Sequence, residues 1–311
     1  LLCVSWEITD GGTARLSERR KHRIIPQGGR WWLLLPATKC EGLRKSIHAA
    51  GNAKESKHFC KKKMKIALLG YGKMGKMIEQ LALQQGHQVV LRIGSQNRRE
   101  LKPEKLREAD VAIEFSRPDS ACDNVCACLL AGVPVVCGTT GWLDRMPQAQ
   151  GLCEETGGAF LYASNFSVGV NIFFAVNRLL ARLMNRQSGY EVSIREIHHL
   201  QKLDYPSGTA LSLAEQIVEE YEPKTSWKVS LETPAMGAAH EIAIQACREG
   251  KVPGTHIVSW HSAVDSLEII HTAHSREGFA AGALVAAAWL VGKKGCFSME
   301  DVLFLSRKKG D

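Results

Sequence analysis

No apolar run in this 311-residue chain is long enough to cross a membrane, so no membrane partner is expected. Its ten cysteines lack the paired spacing of a zinc ribbon or a secreted disulfide framework. Cys122, Cys126 and Cys128 form the one cluster, and no histidine stands near them in sequence. On a helix Cys122 and Cys126 share a face, so core packing is expected rather than a metal site, in a reducing cytoplasm. An excess of one charge is also missing from most of the chain. Of a formal +8, residues 1–63 hold 14 Lys+Arg against 5 Asp+Glu, leaving 26 against 27 for residues 64–311. A nearly neutral body gives no grounds for a nucleic-acid partner.

Residues 1–63 show no sustained period of 2 or 3.6 and carry one short apolar block at 31–35. The pattern becomes regular at Met64, which reads as a true start, and Leu1 is not a methionine. Residues 1–63 are therefore expected to be a non-native or disordered extension. A transit peptide is the alternative, against which the acidic residues and the Trp31-Trp32 pair count.

From Lys65 an apolar strand runs to Leu69, followed by Gly70-Tyr71-Gly72-Lys73-Met74-Gly75 and a helical pattern. Gly-x-Gly-x-x-Gly is weak alone, but between a strand and a helix at the head of an alternating βα pattern it points to a dinucleotide. The second strand ends in Gly94-Ser95-Gln96-Asn97-Arg98-Arg99, where such folds usually carry an acid for the ribose diol. Without that acid, and with Arg98 and Arg99 beside it, NADPH is expected to serve at least as well as NADH. Further strands deliver Ser116-Arg117-Pro118, Gly138-Thr139-Thr140-Gly141 and Ala163-Ser164-Asn165-Phe166 at their C-terminal ends, where ligands of doubly wound sheets collect.

The second half alternates differently. A strand at 190–197 leads into His198-His199, and Lys202 lies three positions beyond the second imidazole. Pro206-Ser207-Gly208-Thr209 then opens an apolar helical run. Two imidazoles that titrate near neutrality, a fixed ammonium and a helix start with two hydroxyls suit an anion that must be protonated. The alternative is that Ser207 or Thr209 only caps the helix and one histidine is structural. Four more strands follow, and His256, His271 and His274 on or beside them read mainly as structural. The fold class expected is α/β: a Rossmann-like doubly wound parallel sheet plus an α+β domain with an open, mixed, mostly antiparallel sheet. A closing helix at 278–291 is expected to pack back onto the first domain.

These motifs, with Glu196-Ile-His-His199, Arg248-Glu-Gly250, Val252-Pro-Gly254 and His274-Ser-Arg276, occur in an order that resembles dihydrodipicolinate reductase, the 4-hydroxy-tetrahydrodipicolinate reductase family of lysine and diaminopimelate biosynthesis. The resemblance spans residues 64 to about 305. It implies NAD(P)H-dependent reduction of a cyclic imine dicarboxylate by a homotetramer. Residues 64–167 and 276–311 would form the dinucleotide domain and 168–275 the substrate and oligomerisation domain. By matching position, His198 resembles the general acid/base and Lys202 a proton donor. His199, Lys202, Ser207, Gly208 and Thr209 resemble the carboxylate-binding set. Gly70 to Met74 and Gly75, Gly138 to Thr140 and Ala163 to Phe166 resemble the cofactor contacts, with Arg98 added from its place after the second strand. Tyr205 departs from the family, many members of which carry alanine there. The rivals are another two-domain NAD(P) oxidoreductase, such as a sugar dehydrogenase or a semialdehyde dehydrogenase, the latter needing a nucleophilic cysteine that does not stand out here, a dinucleotide sensor without turnover, and nucleic-acid binding through the basic residues 1–63.

Overall fold

The computed structural model describes residues 3–8, 14–19, 63–230 and 238–305. Two strands, β1 (Cys3–Ile8) and β2 (Ala14–Arg19), pair antiparallel within the leading segment, where no regular element was expected. The reason is local: Val4, Trp6 and Ile8 alternate with Ser5 and Glu7 ahead of an Asp-Gly-Gly turn sequence. Most of the expected extension lies outside the described residues.

The body begins with β3 (Lys65–Leu69), α1 (Lys73–Gln84) and β4 (Gln88–Ile93). A short α2 (Pro103–Leu106) precedes β5 (Val111–Glu114), α3 (Pro118–Leu130), β6 (Val135–Cys137), α4 (Met146–Thr156) and β7 (Ala159–Tyr162). After α5 (Val168–Met184) come β8 (Glu191–His198), α6 (Gly208–Glu220), β9 (Ser226–Ser230), β10 (Glu241–Arg248), β11 (Gly254–His261) and β12 (Ser266–Ala273). The chain returns through α7 (Glu277–Leu290), β13 (Gly295–Phe297) and α8 (Met299–Val302).

The first sheet has the order β13-β7-β6-β5-β3-β4, and every pairing in it is parallel. Its inner strands β3, β5 and β6 are buried on both faces, which is why they read as continuous apolar runs. Helix α7 is apolar all round because it is covered all round. Ala280, Ala283, Leu284 and Ala287 pack with Ile66, Leu68 and Ile78 on one side of that sheet. Cys122, Cys128 and Cys153 fill the core on the other side as free thiols. Burial pushes the Cys128 thiol well above its ordinary range, so it stays protonated.

The second sheet has the order β12-β11-β8-β10-β9. It is mixed, as expected, but not mostly antiparallel: β8 and β9 both pair parallel with β10, while β11 pairs antiparallel with β8 and β12. Helix α6 is the crossover between β8 and β9, which therefore run in the same direction. Phe173 and Ala181 of α5 and Leu213 and Ile217 of α6 cover one face, against Ile194, Ile244, Val258 and Trp260. Period 2 then sends Glu196, His198, Arg248 and His256 to that same covered side at the strand ends.

Candidate active site

Two clefts carry the chemistry. The first, of about 990 Å³, lies where β3 meets α1 and β4. Gly70 sits at φ +98°, and a Cβ there would fall 2.0 Å from the Phe115 carbonyl oxygen. A Cβ on Gly75 would fall 2.2 Å from the Gly70 carbonyl oxygen. Both glycines are therefore required by close packing of the turn on the helix. Gly72 is the N-cap of α1, bears no side-chain cap, and has no acid in the turn that follows. The helix start thus keeps unpaired N–H groups facing the cleft, which fits the pyrophosphate of a dinucleotide.

Around this cleft the residues expected from sequence divide. Gly70, Tyr71, Gly72 and Arg98 line it, with Lys76 and Arg92 added. Arg98 stands 3.8 Å from Asp123, while Arg99 is not among the lining residues. The acid missing after β4 has a counterpart on α1: Glu79 accepts from Arg92 Nε at 2.7 Å and from the Tyr71 hydroxyl. Those bonds hold the Glu79 carboxyl below its ordinary range and occupy it. Asn97 folds the loop by accepting from Gly94 N–H and donating to the Arg92 carbonyl, both at 2.8 Å. Met74 packs against the core, and Ala163 and Phe166 are buried in it, so the last two can offer a nucleotide only backbone. Thr139 accepts from Ser116 N–H at 2.8 Å, which ties the 138–141 turn to the end of β5.

The second cleft, of about 920 Å³, places Thr140, Ser164 and Asn165 from the first sheet opposite His198, His199 and Lys202 from the second. Gly208 and Thr209 at the head of α6 complete its floor. Lys202 donates to Asp204 at 2.8 Å. Burial pushes the Asp204 carboxyl up, but the Lys202 ammonium outweighs it and holds that carboxyl low. Ser207 caps α6, its hydroxyl accepting from Ala210 N–H at 3.2 Å. Its own N–H donates to Glu196 at 3.1 Å, and its hydroxyl lies 3.1 Å from His256 Nε2. Ser207 therefore caps α6 and also lines the cleft, with its N–H spent inside the protein.

Sequence reasoning missed what stands behind His198. Glu196 is fully buried; its Oε2 lies 3.4 Å from His198 Nδ1, and its Oε1 accepts from Arg248 at 3.3 Å. His256, read as structural, lies edge-on to His198 with ring centroids 5.0 Å apart. Burial, helped by the neighbouring His198, pushes its pKa down to about 3, so it is neutral. The Tyr205 ring covers the Arg248 guanidinium at 4.0 Å, and its hydroxyl donates to the Ala246 carbonyl at 2.8 Å. The signals in the sequence were the placing of Glu196 and His198 on alternating strand positions and the Arg248-Glu-Gly250 motif, neither of which states the contact.

A glycine-rich helix start in the first cleft and a cationic pocket with imidazoles in the second are together equipped to hold a nucleotide and an anion. The family model for the N-terminus of dihydrodipicolinate reductase matches residues 64–166, and that for its C-terminus matches residues 169–303. A 4-hydroxy-tetrahydrodipicolinate reductase from Christiangramia forsetii is 48% identical over 242 residues, covering 77% of this chain and 98% of its own length. One from Methanopyrus kandleri is 39% identical over 213 residues, covering 67% of this chain and 76% of its own. The solved structure of a dipicolinate-bound dihydrodipicolinate reductase from Paenisporosarcina sp. TG-14 shares the fold, with a TM-score of 0.66 at 22% identity over 77% of this chain and 99% of that one. On the match of both halves and the extent of these identities, the chain belongs to the dihydrodipicolinate reductase family.

Proposed function

We infer that this chain reduces 4-hydroxy-tetrahydrodipicolinate to tetrahydrodipicolinate with a reduced pyridine nucleotide, a step of lysine and diaminopimelate biosynthesis. The observation that carries the reading is the second cleft, where both sheets contribute to one space and cations and imidazoles collect on one wall. His199, Lys202 and the N–H groups of Gly208 and Thr209 bind the substrate's carboxylates, and Ser207 sets the helix start that presents them. Lys202 and His198 hold and deliver the proton that the ring takes up as negative charge develops on it. Gly70 to Gly75, Arg98, Gly138 to Thr140 and Ala163 to Asn165 hold the cofactor, and the bound reduced nicotinamide supplies the hydride.

NADPH serves at least as well as NADH in this reading. Lys76, Arg92 and Arg98 line the first cleft, while Glu79 is occupied by Arg92 and Tyr71. Assembly is as a homotetramer through the face of the second sheet that α5 and α6 leave uncovered, where Ile257 and Ile270 pair in register. The setting is cytoplasmic, consistent with the free thiols, and no helix among the described residues is long and apolar enough to cross a membrane.

The test is oxidation of NADPH and NADH by a protein beginning at Met64, with substrate formed in situ from pyruvate and aspartate semialdehyde. Turnover with a kcat/KM ratio at or above one for NADPH is expected. A folded, nucleotide-binding protein without turnover would favour a sensor or another imine, and a clear NADH preference would overturn the cofactor assignment alone.

A further inference from the structure

We propose that Glu196 is a positioning residue of this reaction, whose fully buried carboxylate locks His198 and the start of α6 into one unit. The proposal rests on the reading of His198 as the acid/base group. Glu196 Oε2 lies 3.4 Å from His198 Nδ1 and 3.7 Å from His256 Nε2. Both Glu196 oxygens receive Ser207 N–H, at 3.1 and 3.2 Å, and Oε1 also receives Arg248 Nη1 at 3.3 Å. One carboxylate therefore touches β8, β10, β11 and the cap of α6, the helix whose first N–H groups face the substrate space.

A buried carboxylate is costly unless it is paired, and Arg248 is the pairing cation. Arg248 is itself held by the Tyr205 ring and by the carbonyls of Lys202, at 3.3 Å, and Asp204, at 2.5 Å. The network thus reaches the loop that carries Lys202. The donor atoms of Glu196, His198 and His256 lie within 4.8 Å of one another, a spacing that also suits a metal ion. Arg248 and Lys202 beside them oppose a divalent cation, so charge pairing of Glu196 with His198, whose Nδ1 makes no hydrogen bond here, is the use that the charges favour.

His198 faces Glu196 on its own strand, Lys202 and Asp204 on the following loop, Arg248 on β10 and His256 on β11. Burial lowers the proton affinity of His198, Glu196 raises it, and Lys202 and Arg248 lower it. Removing the Glu196 charge removes the chief opposition to burial. Protonated His198 then disappears at lower pH, and turnover that needs its proton falls earlier as pH rises.

The experiment compares Glu196→Gln with the parent full chain by pH profiles of kcat/KM and by NMR titration of the His198 imidazole. Gln keeps one acceptor for Ser207 N–H, loses the charge and puts an NH2 donor in place of the second oxygen. The alkaline limb and the imidazole titration are both expected to move down by about one pH unit, with nucleotide Kd unchanged. Should the Gln variant fail to fold, Glu196→Asp keeps the charge one methylene farther away and is expected to show a smaller shift in the same direction. An unshifted imidazole titration in a folded variant overturns the proposal. His198→Gln separates the two readings: if it retains the parent's turnover and pH profile, the acid/base reading fails, while the imidazole titration in Glu196→Gln still decides the role of Glu196.

Discussion

The two clefts differ in what they offer a ligand. The first works largely through backbone and through side chains that are missing: Gly70 and Gly75 leave room, and the uncapped start of α1 offers its N–H groups. The second works through ionisable side chains, in which Lys202, His198 and Glu196 belong to one charge network. A backbone site tolerates little added volume but is indifferent to pH, whereas a side-chain site tolerates volume better and depends on every proton in it.

The largest effect that would separate them is Lys202→Ala. It is expected to lose about 10²-fold or more in kcat with nucleotide Kd and folding unchanged; single-turnover kinetics and calorimetry check it, and near-normal turnover would erase the distinction. Gly75→Ala tests the other side. Its new Cβ meets the Gly70 carbonyl oxygen, so nucleotide affinity should weaken on the order of 30-fold, about 2 kcal/mol, while the pH dependence of the bound enzyme stays as it was.

Next in size is the pH dependence of stability. His256 has a folded pKa of about 3 against an ordinary 6.5. The unfolded chain therefore binds a proton that the folded chain refuses, so this contribution to stability is full above pH 6.5 and is lost as pH falls toward 3. His198 and His271 are shifted in the same direction, mainly by burial. Denaturant unfolding between neutral and mildly acidic pH should lose about 1 kcal/mol per pH unit from His256, and His256→Asn should flatten that slope. Smallest is Arg98→Ala, expected to lower kcat/KM with NADPH about threefold and leave NADH alone; equal losses with both cofactors would take Arg98 out of the preference.

What was legible follows the same division. Gly70 to Gly75, the strand before it and the helix after it are contiguous, so the periods of 2 and 3.6 and the glycine spacing expose them together. His198, His199, Lys202 and Ser207 to Thr209 were equally visible within one short stretch. The support was not. Arg248 and His256 stand about fifty and sixty positions beyond Glu196, and although Arg248 opens one of the motifs of the resemblance, nothing near either residue states that it faces Glu196. The balance of the second sheet was misjudged for a related reason, since alternation announces a strand but does not state which neighbour it takes. Arg99 read as well as Arg98 for the cofactor, and only the turn of the loop separates them.

By itself the sequence determined the alternation of elements, the glycine turn and the cluster of groups that lines the second cleft, because each depends on residues within a few positions of one another. The tertiary structure alone decided that β8 lies between β10 and β11. That order brings Glu196 level with Ala246 and His256, with Arg248 beside His198. Strand order is a contest among pairings that are nearly equal in local energy, and burial of Ile194, Ile244, Val258 and Trp260 beneath α5 and α6 resolves it. The proton affinity of His198 is a product of that packing, since burial and charges from separate strands act on it through space.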